Sequence, residues 1–88
     1  MKTAKQLERH LKGIANHRRI EILRQISKSE GITLEKIVEQ LNCNFKTLSE
    51  HTRRLVQAGL VEKRYVGRNV THFLSPYGRM IIKFIDSF

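Results

Sequence analysis

The chain has 88 residues, of which 17 are Lys or Arg and 8 are Asp or Glu, so its formal net charge is +9. A chain this short makes one domain, residues 1–88, and buries only about 60–65% of its unfolded surface, which leaves little room for a deep catalytic cleft. Because 40% of the residues are hydrophobic, the charge surplus indicates a folded domain with a polyanionic partner rather than a disordered tail.

Several classes of protein are disfavoured by motifs that the sequence lacks. The N-terminal segment has no unbroken apolar core of a signal peptide, and no apolar run approaches membrane-spanning length, so we expect no membrane association. Cys43 is the single cysteine, which excludes an internal disulfide and is typical of a reducing cytoplasm. No Ser-His-Asp pattern, carboxylate pair or glycine-rich phosphate loop is present. We therefore expect a cytoplasmic protein that is not an enzyme and holds no cofactor.

Apolar residues at helical spacing predict four helices before Gly59. The first ends near Ile14 and has Leu7 and Leu11 on one face. Gly31 is predicted just past the end of the second helix, and Gly59 as the left-handed C-cap of the fourth. Each helix begins after a residue that is preferred at an N-cap: Thr3, Asn16, Thr33 and Asn44.

Beyond Gly59 the apolar period changes from 3.6 to 2. The segments "LVEKRYV" and "VTHFLS" flank "GRN", which predicts a β-hairpin with a short glycine-containing loop. Ser75 followed by Pro76 is the preferred start of a new helix, which runs to the end of the chain. The predicted fold is mainly α with a small β-hairpin, in the order helix-helix-helix-helix-hairpin-helix.

The third and fourth helices, joined by "LNCN", have the spacing of a helix-turn-helix. In that motif the second helix lies in the major groove of DNA, where every base pair shows a distinct pattern of donors and acceptors. Lys and Arg can donate to guanine or phosphate, Ser and Thr can serve either, and Glu can accept from cytosine. The candidate contacts on this helix are Lys46, Thr47, Ser49, Glu50, Arg53 and Arg54.

The hairpin adds a second group of cations. Lys63 and Arg64 lie on its first strand and Arg68 at its tip, from which a cation can reach the minor groove or the backbone. Residues 44–72 carry six basic and two acidic side chains, whereas residues 25–43 carry two basic and three acidic ones. The surplus is therefore patterned along the chain, as a DNA footprint requires.

These segments together resemble a winged-helix regulator of the ArsR type over nearly the whole chain. The most specific pieces are "RRIEIL", Ser49-x-His51, "LxxAGLV" from Leu55 to Val61, and the wing "GR". The resemblance implies a winged helix-turn-helix repressor that binds double-stranded DNA at an inverted repeat as a homodimer. It also implies a base contact for His51. Two departures are Thr52, where such proteins usually have Leu, and Phe45, where they usually have a small or polar residue.

The last helix supports a homodimer independently of the resemblance. Its apolar side chains span about 200° of a helical wheel, whereas a helix that covers a single core needs only about 100°. We expect a two-fold interface in which the first helix packs beside the last. The predicted interface residues are Leu7, Leu11, Tyr77, Met80, Ile81, Phe84, Ile85 and Phe88. The alternative is a terminal helix folded wholly onto its own domain.

Metal sensing is the best-known function of the family that the chain resembles, but the residues present disfavour it here. Sites in that family use paired Cys near the recognition helix or carboxylate and His sets on the last helix. Here Cys43 is alone, the last helix offers only Asp86, and the histidines lack ligand spacing. We expect no metal site, and interpret Cys43 as an apolar plug in the turn. The sequence does not identify any effector.

Two other functions stay open at this stage. A winged helix can be a protein-interaction module, which needs no cationic recognition face. It can also bind RNA, because a cationic surface does not by itself distinguish the two nucleic acids. His51 likewise has an alternative interpretation, as a half-buried histidine bonded to a backbone carbonyl.

Overall fold

The computed structural model describes all residues, 1–88, and contains five α-helices and a three-stranded antiparallel sheet. The elements are α1 (Ala4–Ile14), α2 (His17–Lys28), β1 (Ile32–Thr33), α3 (Leu34–Leu41), α4 (Phe45–Gln57), β2 (Val61–Val66), β3 (Asn69–Leu74) and α5 (Pro76–Asp86). The predicted order of helices and hairpin is confirmed, and the fold is a winged helix-turn-helix.

The N-caps are those that the sequence predicts. The Thr3 hydroxyl accepts from the Gln6 N–H, and the Gln6 side chain accepts from the Thr3 N–H, which makes a capping box. Asn16, Thr33, Asn44 and Ser75 also cap their helices with side-chain oxygens. Gly59, with φ of +75°, follows the end of α4 in the left-handed conformation.

Strand β1 is the element that the sequence reading missed. Helix α2 ends at Lys28, and Gly31, with φ of +93°, turns the chain into β1 instead of directly ending the helix. The two residues of β1 pair antiparallel with β3, so that Ile32 lies opposite His72 and the sheet order is β1-β3-β2. A strand of two residues is too short to show a period of 2, which explains the omission.

The hydrophobic core lies between α2, α3, α4 and the sheet. Its fully buried side chains include Ile22, Leu23, Ile26, Ile37, Leu48, Leu55 and Leu60. Helix α5 closes one side through Ile82, which is buried, while Ile81 packs against the same core and is partly exposed. The core is therefore complete without the outer sides of α1 and α5.

Helix α1 contacts the end of α4 at very short range. A methyl group at Gly13 would overlap with the Cβ of Ala58, so only glycine permits this approach. On the same side of α1, the buried His10 donates from Nδ1 to the Ala58 carbonyl oxygen over 2.6 Å. The pair of contacts fixes α1 against the C-terminal end of α4.

None of the helices is both long enough and apolar enough to cross a lipid bilayer.

Candidate nucleic-acid interface

Helices α3 and α4 form the helix-turn-helix, and three residues set the turn between them. Asn42 has φ of +49°, a left-handed conformation that Asn tolerates better than most residues. Cys43 packs against the core from this turn, as predicted. Asn44 then caps α4 by accepting from the Thr47 N–H over 3.1 Å. The turn therefore orients the N-terminal end of α4 outward.

One side of α4 is buried and the other carries the predicted contacts. Leu48, Thr52 and Leu55 face inward. The Thr52 hydroxyl donates to the Leu48 carbonyl oxygen over 2.8 Å, so this polar group is satisfied where the resemblance leads one to expect Leu. All the candidate DNA contacts of this helix are exposed or partly exposed: Lys46, Thr47, Ser49, Glu50, His51, Arg53 and Arg54.

Glu50 is engaged with its neighbours on the helix. Arg53 donates from Nε to its carboxylate over 3.2 Å, and Arg54 Nε lies 3.4 Å from one of its oxygens. The Arg53 hydrogen bonds hold the pKa of the Glu50 carboxyl below its usual value, with smaller contributions from the charges of both arginines. Glu50 is therefore ionised and partly neutralises two of the cations beside it.

His51 differs from the other histidines of the fold. Its side chain is partly buried and forms no hydrogen bond within the chain, unlike His10 and His72, whose Nδ1 atoms bond to carbonyl oxygens. The alternative interpretation of His51 is therefore correct about its partial burial and wrong about a bond to a backbone carbonyl. Burial lowers the pKa of His51, and the charges of Arg19 and Arg18 lower it further.

Phe45 occupies the first position of α4, and 52% of its surface is exposed. It lies immediately before Lys46 at the outward end of the helix. An exposed aromatic ring at this position is available for apolar contact with a sugar or a thymine methyl group.

The wing separates two cations that the sequence prediction grouped together. Successive side chains of a strand point to opposite faces, so Lys63, opposite His72, and Arg64, opposite Thr71, face different ways. The Arg64 guanidinium lies 4.1 Å from the centre of the Phe73 ring. Gly67 and Arg68 form the two-residue turn between the strands. Arg68 is exposed and forms no ion pair or side-chain hydrogen bond. The wing thus presents Arg68 without a partner, and Arg64 stacked on Phe73 with the in-plane N–H groups of its guanidinium exposed.

Tyr65 is a candidate that the sequence reading missed. Its side chain is 75% exposed near the tip of the wing. It lies two residues after Lys63 on the same strand face, and this alternation was the available signal.

The outer sides of α1 and α5 form a second, apolar surface. The exposed large side chains include Leu7, Leu11, Tyr77, Met80, Phe84 and Phe88, and Ile81 and Ile85 are partly exposed. His10 of α1 stacks on Tyr77 of α5 with ring centroids 4.8 Å apart, so the two helices contribute to one continuous surface. Single exposed apolar residues are ordinary, but a contiguous group of this kind is typical of an interface.

The structure contains no cluster of three or more His, Cys, Asp or Glu side chains that could hold a metal ion.

Comparison with known proteins places the fold among transcription regulators. The family model described as "MarR family" matches residues 15–65, more than half of the chain. A transcriptional regulator HlyU from Vibrio vulnificus is 27% identical, with a TM-score of 0.81 over 96% of this chain and 88% of that one. No curated protein matches the sequence.

Two further solved structures have nearly the same fold. One is the homodimeric winged helix-turn-helix DNA-binding domain of a possible ArsR-family transcriptional regulator from Mycobacterium bovis. It is 26% identical, with a TM-score of 0.81 over 94% of this chain and 80% of that one. The other is the transcriptional repressor PagR of Bacillus anthracis, at 20% identity and a TM-score of 0.84 over 92% of this chain and 93% of that one.

Proposed function

From the premise that this chain belongs to the MarR family, we propose that it is a transcriptional regulator that binds double-stranded DNA sequence-specifically as a homodimer. The observation that carries the proposal is the outward face of α4, which presents cationic and hydroxyl side chains from a helix-turn-helix with a free cation at the wing tip. Within the winged-helix regulators, the "LxxAGLV" and Ser49-x-His51 motifs and the likeness to the M. bovis domain favour an ArsR-type assignment.

In this proposal the first turns of α4 enter the major groove. Lys46, Thr47 and Ser49 lie near the N-terminal end of the helix and contact base edges. His51, neutral at pH 7 because its pKa is lowered, contacts the bases or the adjacent phosphates. Arg53 contacts a phosphate of the DNA backbone when its ion pair with Glu50 opens.

The wing contributes affinity more than specificity. Arg68 at the tip contacts the minor groove or the backbone. Lys63 lies on the same strand face as Tyr65 and forms no ion pair, so it is also available to phosphate. Arg64 contributes from its stacked position, because the in-plane N–H groups of its guanidinium remain free to donate to phosphate.

The homodimer is proposed to use the apolar surface of α1 and α5. Met80 and Phe84 are 64% and 59% exposed, and a contiguous apolar surface of this kind is a liability in a monomer. The M. bovis domain, which shares the fold, is described as homodimeric. An inverted repeat read in successive major grooves needs two recognition helices about 34 Å apart, and a two-fold axis through α5 is the symmetry proposed to supply that spacing.

We also propose that the protein acts in the cytoplasm as a repressor and uses no metal or cofactor. A dimer that occupies an inverted repeat near a promoter can exclude polymerase, which makes a repressor the simplest assignment.

Selection of bound sequences from a random duplex pool tests the DNA assignment. We expect an inverted repeat to emerge. A gel-shift comparison of that duplex, a scrambled duplex and single-stranded RNA then distinguishes the alternatives. Equal binding of RNA favours an RNA-binding winged helix, and no binding of either nucleic acid favours a protein-interaction module.

A further inference from the structure

A basic concavity lies between α1, α2 and the C-terminal end of α4, away from the wing and from the first turns of the recognition helix. Its lining includes four cationic side chains and no carboxylate: Arg9, Lys12, Arg19 and Arg54. We propose that this basic concavity binds a phosphate of the DNA backbone beside the major groove that α4 occupies. The inference rests on the proposed function and adds a third contact region to it.

The short approach of α1 to α4 assembles the concavity. Because residue 13 is glycine, the two helices meet at Gly13 and Ala58, and this contact brings Arg9 and Lys12 to the C-terminal end of the recognition helix. The Arg9 guanidinium lies 3.2 Å from the point where a Cβ on Gly59 would stand. The packing of the two backbones therefore brings two cations of α1 next to Arg54.

Arg19 lines the basic concavity and is held in place by hydrogen bonds to the end of α1. Its Nη1 donates to the carbonyl oxygens of Lys12 and Gly13 over 3.3 and 3.1 Å. Both carbonyls belong to the last turn of α1, and that of Lys12 also accepts from the Ala15 N–H over 3.3 Å, so Arg19 adds to the C-terminal capping of that helix. Its Nε–H is buried and has no acceptor in the chain. No carboxylate neutralises this guanidinium.

The balance of charge around the basic concavity favours an anion. Glu8 pairs with Lys12 at 3.1 Å, and Glu50 lies 3.4 Å from Arg54. Both are exposed pairs, which contribute little and exchange readily. Arg9 forms no ion pair or hydrogen bond, so at least two positive charges remain without a partner.

The length of α4 identifies the anion as a backbone phosphate. The major groove is about 12 Å wide, whereas the 13 residues of α4 span about 20 Å at 1.5 Å per residue. When the first turns of α4 contact base edges, Arg54 lies about 12 Å, and Gln57 about 17 Å, beyond Lys46 along the helix axis. That distance places the basic concavity over the sugar-phosphate strand that borders the groove. A phosphodiester is the anion found there.

The test is the salt dependence of duplex binding by the double variant Arg9→Gln with Lys12→Gln. Loss of one phosphate contact per protomer should reduce the slope of log K against log salt by about 0.9 per protomer, or about 1.8 per dimer. Affinity should fall equally for the selected and scrambled duplexes, because a phosphate contact carries no base preference. Lys12→Gln alone, at a residue whose side chain is 78% exposed, should show a smaller change in the same direction.

The matched control is Arg24→Gln with Lys28→Gln, which removes the same charge from the part of α2 beside α5. Its slope should stay close to that of the wild type. The inference is overturned if the Arg9 and Lys12 variant keeps the wild-type slope, or if both double variants reduce it equally, since only net charge would then matter. A wild-type protein that binds no duplex removes the proposed function as well, whereas wild-type binding with an unchanged variant removes this inference alone.

Discussion

Helices α4 and α5 are similar in design and opposite in surface chemistry. They have 13 and 11 residues, and each buries one narrow side, through Leu48 and Leu55 in α4 and through Ile82 in α5. The outer side of α4 carries charged and hydroxyl groups, whereas that of α5 carries Met80 and Phe84. Charged groups stay solvated until a polyanion arrives, but apolar groups on a surface favour a second apolar surface. The comparison indicates that each helix has a separate partner.

The largest effect should come from placing charge on the apolar side of α5. The variant Met80→Glu with Phe84→Glu replaces two exposed apolar groups and leaves the core residues in place. We expect a folded monomer at micromolar concentration, because buried charges at a two-fold interface are not compensated. Affinity for the full inverted repeat should fall by about 100-fold or more, since the two half-sites then bind independently. Sedimentation and a gel shift measure the two quantities.

Lys83→Glu is the control on the same helix, because Lys83 is exposed outside the apolar surface. It should remain dimeric. Ile81 is a poor choice for the test, since it packs against the core of its own protomer. A wild-type protein that sediments as a monomer at these concentrations contradicts the interface, and with it the inverted repeat.

The next effect concerns the outer side of α4 itself. Lys46→Ala or Ser49→Ala should cost about 1–3 kcal/mol at the selected operator, and the loss should be confined to particular bases. Arg68→Ala should instead weaken binding to all duplexes and reduce the salt slope by about one unit per protomer. Titrations on operators with single-base changes, at two salt concentrations, separate the two patterns. An unchanged affinity and slope for Arg68→Ala contradicts the wing assignment.

A smaller effect should follow from removing the carboxylate on α4. Glu50→Gln frees Arg53 and Arg54 from their ion pairs, and exposed pairs of this kind are weak. We expect affinity for any duplex to rise by up to about five-fold. If Glu50 instead accepts from a cytosine, affinity for the selected operator falls while that for scrambled duplex does not. Binding measured on both duplexes decides which role Glu50 has.

The sequence predicted these two helices well because each has a clear period and a capping residue. Asn44 and Ser75 placed their starts, and the wide apolar arc of α5 showed that one core could not cover it. The arc could not show which half faces inward. That depends on contacts with residues distant in the chain, which bury Ile82 and leave Met80 outside.

Features that depend on distant contacts were not predictable. The basic concavity exists because Gly13 meets Ala58, 45 positions further along the chain. Strand β1 exists because Ile32 pairs with His72 in β3. By contrast, the opposite orientations of Lys63 and Arg64 follow from strand alternation and could have been predicted.

The smallest effects should appear as pH dependence, and they should differ between His51 on α4 and His72 in the sheet. Burial is the main cause that lowers the pKa of both histidines. For His72, the charge of Lys63 lowers the pKa further, whereas the hydrogen bond to the Ile32 carbonyl and the charge of Glu35 raise it. A histidine with a lowered folded-state pKa contributes stability that is present above about pH 6.5 and lost as pH falls through the folded pKa. The free energy of unfolding should therefore decrease between about pH 7 and pH 5.

DNA affinity should change in the opposite direction over the same range. A phosphate beside His51 favours its protonated form, so binding raises the pKa of His51 and takes up a proton. Affinity should then increase as pH falls, while stability decreases. His51→Asn should flatten the affinity profile. His72→Asn, which keeps a donor for the Ile32 carbonyl, should make the stability profile less steep and leave the affinity profile unchanged. Denaturant unfolding and duplex titration at the same set of pH values measure both. If His51→Asn leaves the affinity profile unchanged, His51 lies away from phosphate, and the DNA surface of α4 is limited to the side that carries Lys46 and Arg53.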